Sequence, residues 1–381
     1  REDFRLFHAG SPVAIKPFSR PPAAVAAGAA VGSGRDAPAL ANAPRRVVLF
    51  VDNLHLHPSS RRRVFSRLLD RLEEQLEPET EVMVVSYAGI SEVVLGMTAD
   101  RRALRRALRE LADAGAVSLL APNATANVFE ILGHLAQRFQ IVHAGAVDSH
   151  CRQVGAVARS HAEQVHSRVL GTIAELGRFV DSLAGFDGPK MLLHVSDGIP
   201  LVAGTEASRF AAELCDGTGL NKGVEGANDV TQTNVVRFQN WDPTQVSSEL
   251  RAFDTSAEWE RLAGRANAYQ VSVYPFQARQ KTLRAGSATT SEVRSSFDVE
   301  REGERNRQDS LVLLARETGG VATLGSNDIS PALAKMRNDA RLSYQLAFES
   351  PTPGDRRRHD IRVEVTRPRA QLRYRRSYVS K

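Results

Sequence analysis

The chain has 381 residues, 42% of them hydrophobic and 25% charged, and a formal net charge of +6. This is an ordinary globular composition, long enough for a substantial core and two domains, and no apolar run approaches the roughly 20 residues that a membrane-spanning helix needs. The basic clusters "GDRRRHDIR" and "RPRAQLRYRR" lack the aromatic interleaving of a nucleic-acid binder and read as solvated strand faces and turns, while two cysteines, Cys151 and Cys215, permit a disulfide without requiring one.

In chain order, "EDFRLFHAGSPVAIKPFSRPP" alternates apolar and polar residues around a turn and predicts a β-hairpin within residues 1–20. Residues 21–44, rich in Ala, Gly and Pro, read as a linker. "RVVLFVD" (46–52) is a continuous apolar strand of the kind buried on both faces in a parallel sheet. Val64, Phe65, Leu68, Leu69, Leu72 and Leu76 then form one helical stripe that Pro78 closes. "EVMVVSYAG" is a second buried strand, "ISEVVLGMT" an antiparallel edge beside it, and "ADRRALRRALREL" a helix.

From residue 127 to 185 the pattern is helical, with Val165, Val169, Ile173, Leu176, Val180 and Leu183 nearly in heptad register, and this stretch is expected to be a helical insertion offering a partner surface. His134, His143, His150, His161 and His166, without a repeated i, i+4 pair, read as surface residues. "KMLLHVSDGIP" is the next buried strand. Residues 216–250 and 277–307 are polar and read as irregular excursions on either side of a helix and the strand "VSVYPF". "DSLVLLARETGG" is a helix capped by Gly319, "VATL" a short strand, and "ISPALAKMRNDARL" a helix with Pro331 in its first turn. Residues 45–342 thus predict an α/β domain with a doubly wound, mostly parallel sheet. In 343–381, Tyr344/Leu346/Phe348, Ile361/Val363/Val365 and Leu372/Tyr374 alternate as half-exposed antiparallel strands, expected to join the N-terminal hairpin in a small flanking β domain.

In such sheets ligands bind beyond the carboxyl ends of the strands, where strand order reverses. Asp52 and Asp197 each terminate a buried strand there, and two converging carboxylates suit a hard cation such as Mg²⁺. The competing reading is structural: both carboxylates accept backbone N–H groups in turns and at helix starts.

The ordered set "VVLFVD", "EVMVVSYAG", "GMTADRRALRRAL", "MLLHVSDG", "LARETGGVATL" and "YQLAFESP" resembles a von Willebrand factor type A domain, and more narrowly the VWFA-related proteins described mainly from acidobacteria. Over nearly the whole chain, the resemblance implies a metal-ion-dependent adhesion site of Asp-x-Ser-x-Ser, a Thr and a second Asp. Asp52 and Asp197 match the two acids, the two serines fall on Leu54 and Leu56, and Thr125 is the second-loop candidate. The implied metal ligands are therefore Asp52, Asp197, Ser196 and Thr125, for Mg²⁺ or another divalent cation. The resemblance also implies a non-enzymatic module that holds a protein partner outside the cytoplasm; with Arg1 first in the chain, no signal segment is visible.

Two other readings stay open. One is a scaffold working through the helical insertion, and the other a metal-dependent hydrolase using Asp52, His55 and Asp197. His55 and His57 raise a softer Zn²⁺ alternative beside Asp52. No Gly-x-Ser-x-Gly elbow, phosphate-binding Gly loop or Gly-x-Gly-x-x-Gly fingerprint is present.

Overall fold

The computed structural model describes residues 3–16, 18–19, 45–113, 128–135, 147–215, 250–278, 297–367 and 372–380. Strands β1 (Phe4–His8), β2 (Ser11–Val13) and β3 (Phe18–Ser19) lead to β4 (Arg46–Asp52), helix α1 (Pro58–Gln75), β5 (Glu81–Tyr87), β6 (Ser91–Thr98) and α2 (Arg101–Asp113). The long helix α3 (Val147–Ser182) precedes β7 (Lys190–Ser196), α4 (Thr205–Cys215), α5 (Ser256–Ala268), β8 (Val271–Gln277), α6 (Phe297–Thr318) and α7 (Ser330–Leu342). Strands β9 (Gln345–Leu346), β10 (Arg358–Val365) and β11 (Ser377–Val379) complete the order.

The central sheet has five strands in the order β6-β5-β4-β7-β8. Only β6 is antiparallel. Because successive strand side chains point to opposite faces, the unbroken apolar run of β4 feeds two cores. Val47, Leu49 and Val51 pack with Val64, Phe65, Leu68 and Leu72 of α1, with Leu104 and Leu108 of α2, and with Leu333 and Met336 of α7. Val48 and Phe50 pack on the other face with Ile173, Leu176 and Val180 of α3, Trp259 and Leu262 of α5 and Leu314 of α6. Helices thus cover both faces, and strand order reverses between β4 and its neighbour β7. "VATL" is reduced to one parallel bridge, Thr323 to Phe276.

Helix α3 is a single helix of 36 residues, about 54 Å long at ~1.5 Å per residue. Its second half is one of the sheet's own covering helices and not part of an insertion. The first half carries a satellite core in which Val154 and Ala158 meet Leu132, Phe210, Ala211, Leu214 and Val299. A disulfide joins Cys151 to Cys215 there, 64 residues apart in sequence. The apolar stripe of α3 is taken up by internal packing in these two cores. His161 is buried rather than superficial, beside the close contact of Ala162 with Gly204. His166 lies against the Phe253 ring at 5.7 Å.

Two predicted boundaries move. The last third of the supposed excursion 277–307 is the start of α6, where some polar residues hydrogen-bond neighbouring loops; Asn306, for example, donates to the Val202 carbonyl at 2.7 Å. At the C-terminus, only Gln345–Leu346 of the first expected strand pairs, with Phe18–Ser19, and the last strand is Ser377–Val379 instead of the Leu372/Tyr374 segment.

The chain ends meet in a four-stranded antiparallel sheet ordered β11-β10-β1-β2. The β1–β2 turn places Ala9 at φ 46° and Gly10 at φ 86°, the two positive values of a tight hairpin turn. The basic C-terminal residues dock this sheet. Arg358 pairs with Glu260 at 2.5 Å and Glu317 at 3.3 Å, and Arg373 grips both oxygens of Asp339, which also accepts from Tyr274 Oη at 3.0 Å.

Two stability tests follow. Gly320 lies so close to β8 that an added Cβ would sit 1.9 Å from the Val273 carbonyl oxygen. Gly320→Ala should therefore destabilise the fold by more than about 2 kcal/mol in urea titrations. Closing a loop of this length gives a disulfide a nominal stabilisation of roughly 4 kcal/mol, and the Cys151→Ser/Cys215→Ser double variant should lose about 2–4 kcal/mol.

Candidate functional site

The strand-order reversal falls between β4 and β7, which run parallel in register with Val51 opposite Val195, and the carboxyl ends of strands at such a point are where ligands bind in open α/β sheets. Asp52 and Asp197 therefore meet at one rim, and the loop between β4 and α1 lies across both.

Asp52 is fully buried, at 0% exposure. Its Oδ1 accepts the His55 backbone N–H at 3.0 Å, and the His55 ring turns back so that Nδ1 lies 3.1 and 2.9 Å from the two carboxylate oxygens. A carboxylate only accepts, so His55 Nδ1 carries the proton. On the β7 side His194, itself fully buried, places Nε2 3.5 Å from Asp52 Oδ2. Burial alone would push the Asp52 carboxyl up, but the His55 and His194 rings outweigh it and hold the group well below the ordinary carboxylate range.

Asp197 secures the far end of the same loop. Its Oδ2 accepts the His57 N–H at 2.8 Å, and its own N–H donates to the His55 carbonyl at 2.9 Å. His57 is the N-cap of α1: its ring Nδ1 accepts the Ser59 N–H at 3.2 Å, and Pro58 begins the helix where a missing N–H costs nothing. Asn53 reaches Ser86 at 2.9 Å. Leu56 points into the core at 0% exposure, and Leu54 packs against the α3-side core.

Ser196 is buried, and its Oγ accepts the Gly198 N–H at 3.1 Å. Gly198 adopts φ +101°, and a Cβ there would lie 2.9 Å from the Arg307 backbone oxygen, so the turn after Asp197 requires glycine. Thr125 lies outside the described residues.

Several rim residues escape a reading based on strand-end acids. Gln277, the last residue of β8, donates to the Asp197 carbonyl at 3.2 Å and to Glu304 at 2.8 Å, and accepts from Gln308 at 3.0 Å and from the Gly325 N–H at 3.1 Å. All four of its amide capacities are engaged. Burial would pull the Arg307 guanidinium down, but pairing with Glu206 and Glu304 outweighs this and raises it. The available signals were position for Gln277, at the carboxyl end of a buried strand, and incongruity for His194, a polar residue inside the apolar run "MLLHVS".

The donor set does not fit an octahedral Mg²⁺ centre. The two serine positions present Leu54 and Leu56, and the Asp52 oxygens already face the His55 ring and amide. His57 is committed to the start of α1, so the His55/His57 pair does not converge on Asp52 either. Among the described residues, no group of three or more His, Cys, Asp or Glu side chains is arranged to hold a metal ion.

No family model and no curated protein matches the chain. Among solved structures it is similar to an aerotolerance-related membrane protein from Bacteroides fragilis, at 11% identity and TM-score 0.32, over 77% of this chain and 97% of that one. BatB from Bacteroides thetaiotaomicron gives 12% identity and TM-score 0.31 over 78% and 98%. A point mutant of the PilB minor pilin from Streptococcus sanguinis gives 10% identity and TM-score 0.34 over 80% and 62%. At such low TM-scores these likenesses carry no argument.

Asp52→Ala should cost about 3–5 kcal/mol of unfolding free energy, because it leaves the buried partners of a charge unsatisfied. Asp52 has a folded-state pKa below its unfolded value, so its contribution is present above a pH of about 4 and fades as the solution becomes more acidic. Urea midpoints followed from neutral pH to pH ~3 should fall less steeply for Asp52→Asn than for wild type.

Proposed function

We propose that this chain is a non-enzymatic, von Willebrand factor type A-like module that holds a protein partner at its strand-end rim and does so without a bound Mg²⁺. The observation that carries the reading is the use of the two rim acids: Asp52 and Asp197 hold the amides of His55 and His57, and thereby the loop that an adhesion metal would otherwise organise. The order β6-β5-β4-β7-β8, with one acid ending β4 and another following β7, supports the type A-like part of the reading. Around the rim, Ile90 stands 79% exposed in the turn after β5, and His57 is exposed in the loop after β4. Metal-free docking through such side chains suits a protein surface.

The same burial argues against hydrolysis. A general base must reach its substrate's proton, and Asp52 is closed off behind His55. For the compartment, the Cys151–Cys215 disulfide supports an oxidising one, outside the cytoplasm. Among the described residues no helix is long and apolar enough to cross a membrane.

Site-specific photocrosslinking in the native host tests the proposal. A crosslinker at Ile90 or His57 should trap one discrete protein, equally with EDTA or with added Mg²⁺, while the same probe at Arg362 on β10 should not. Capture that requires Mg²⁺, or that is indifferent to probe position, would contradict it.

A further inference from the structure

We propose that the sheet joining the two chain ends is an acid-sensitive clasp, in which the apposed rings of His8 on β1 and His359 on β10 hold the N-terminal hairpin while His8 is neutral and release it when His8 takes up a proton.

The geometry is specific. The rings lie 4.8 Å apart between centroids and are tilted by only 31°. Tyr378 of β11 and Phe348 surround His8 at 5.8 and 6.0 Å. His8 is 6% exposed, and its Nε2 is sealed from solvent without a hydrogen-bond partner among the described residues. His359 is different. Its Nε2 lies 3.0 and 2.9 Å from the two oxygens of Asp355 and 3.2 Å from Thr352 Oγ1.

The titratable groups facing His8 are therefore His359 on β10, Asp355 in the preceding turn and Tyr378 on β11; the residues sharing its face of β1 are the apolar Phe4 and Leu6. The Asp355 carboxylate lies against the His359 ring. A proton on His8 has no such carboxylate in contact and enters a site lined by the His359, Tyr378 and Phe348 rings. Burial first, and then His359, lower the His8 pKa, which Asp355 only partly restores. A released ring, with the ordinary value of about 6.5, thus takes up its proton more readily than the docked one. The contribution of His8 to docking is complete above pH ~6.5 and is lost as pH falls through its lower docked value.

The consequence is local by construction. Among the described strands, β1 bonds only to β10 and β2, so its release does not breach the five-stranded sheet or the rim. The inference stands independently of the proposed partner binding.

Hydrogen–deuterium exchange of the full chain at pH ~7.5 and ~5.5, corrected for intrinsic exchange, tests it. Peptides covering 4–13 and 358–365 should lose protection at the lower pH, while those covering 46–52 and 190–196 keep theirs. In His8→Phe, where an apolar ring fills the site, the loss should vanish; in His359→Gln it should shrink. No local loss in wild type, or an unchanged loss in His8→Phe, would overturn the clasp. Should His8→Phe not fold, NMR titration of the His8 ring in wild type decides: a midpoint well below about 6.5 supports it, and one at or above that value overturns it.

Discussion

A carboxylate removed from water at the end of a central strand must be neutralised or fully partnered. Asp52 meets that demand with the His55 amide, the His55 ring and the approach of His194 from β7, and much of the rim's shape follows from it. To reach the carboxylate, the chain after β4 turns back within three residues. That turn carries Leu56 into the core and delivers His57 to cap α1, where Asp197 holds the His57 amide. The start of α1, the seating of the loop and the junction of β4 with β7 are therefore one coupled unit.

The unit is the physical basis of the proposed metal-free reading of the rim. A metal centre draws a loop together through oxygens aimed at a point between strands; here the same loop is drawn together by hydrogen bonds to its own backbone and by two leucines packed inward. What remains outside is a surface of mixed character with Ile90 and His57 exposed. The opposite end of the chain is tied down by different means. Arginines that pair with Glu260, Glu317 and Asp339 seat the C-terminal strands against the helices, and a histidine pair joins the two termini.

How far the sequence could be read depended on which interaction dominated each segment. Strands β4, β5, β7 and β8 were legible because a strand covered on both faces must be apolar throughout, and the helical stripes of α1 and the second half of α3 because their spacing marks one buried face. The two rim acids were legible by position. Their use was not: nothing in "VDNLHLHPSS" tells whether Asp52 faces an ion, an amide or the ring three residues on. His194 was hidden inside an apolar run, and its value as a partner depends on the neighbouring strand. The N-terminal half of α6 reads as an excursion because its residues are polar; they bond to loops that come near only in the fold. At the C-terminus, alternation describes Leu372 and Tyr374 as well as Ser377–Val379, and only the hydrogen-bond partners on β10 select the latter.

The most direct measurement is the ¹³C carboxyl signals of Asp52 and Asp197, followed through an acid titration with and without Mg²⁺. A rim organised by its own backbone predicts that Asp52 stays ionised well below the usual range and that neither signal responds to the cation. Saturable movement of both signals with Mg²⁺ would contradict it and restore a metal to the site.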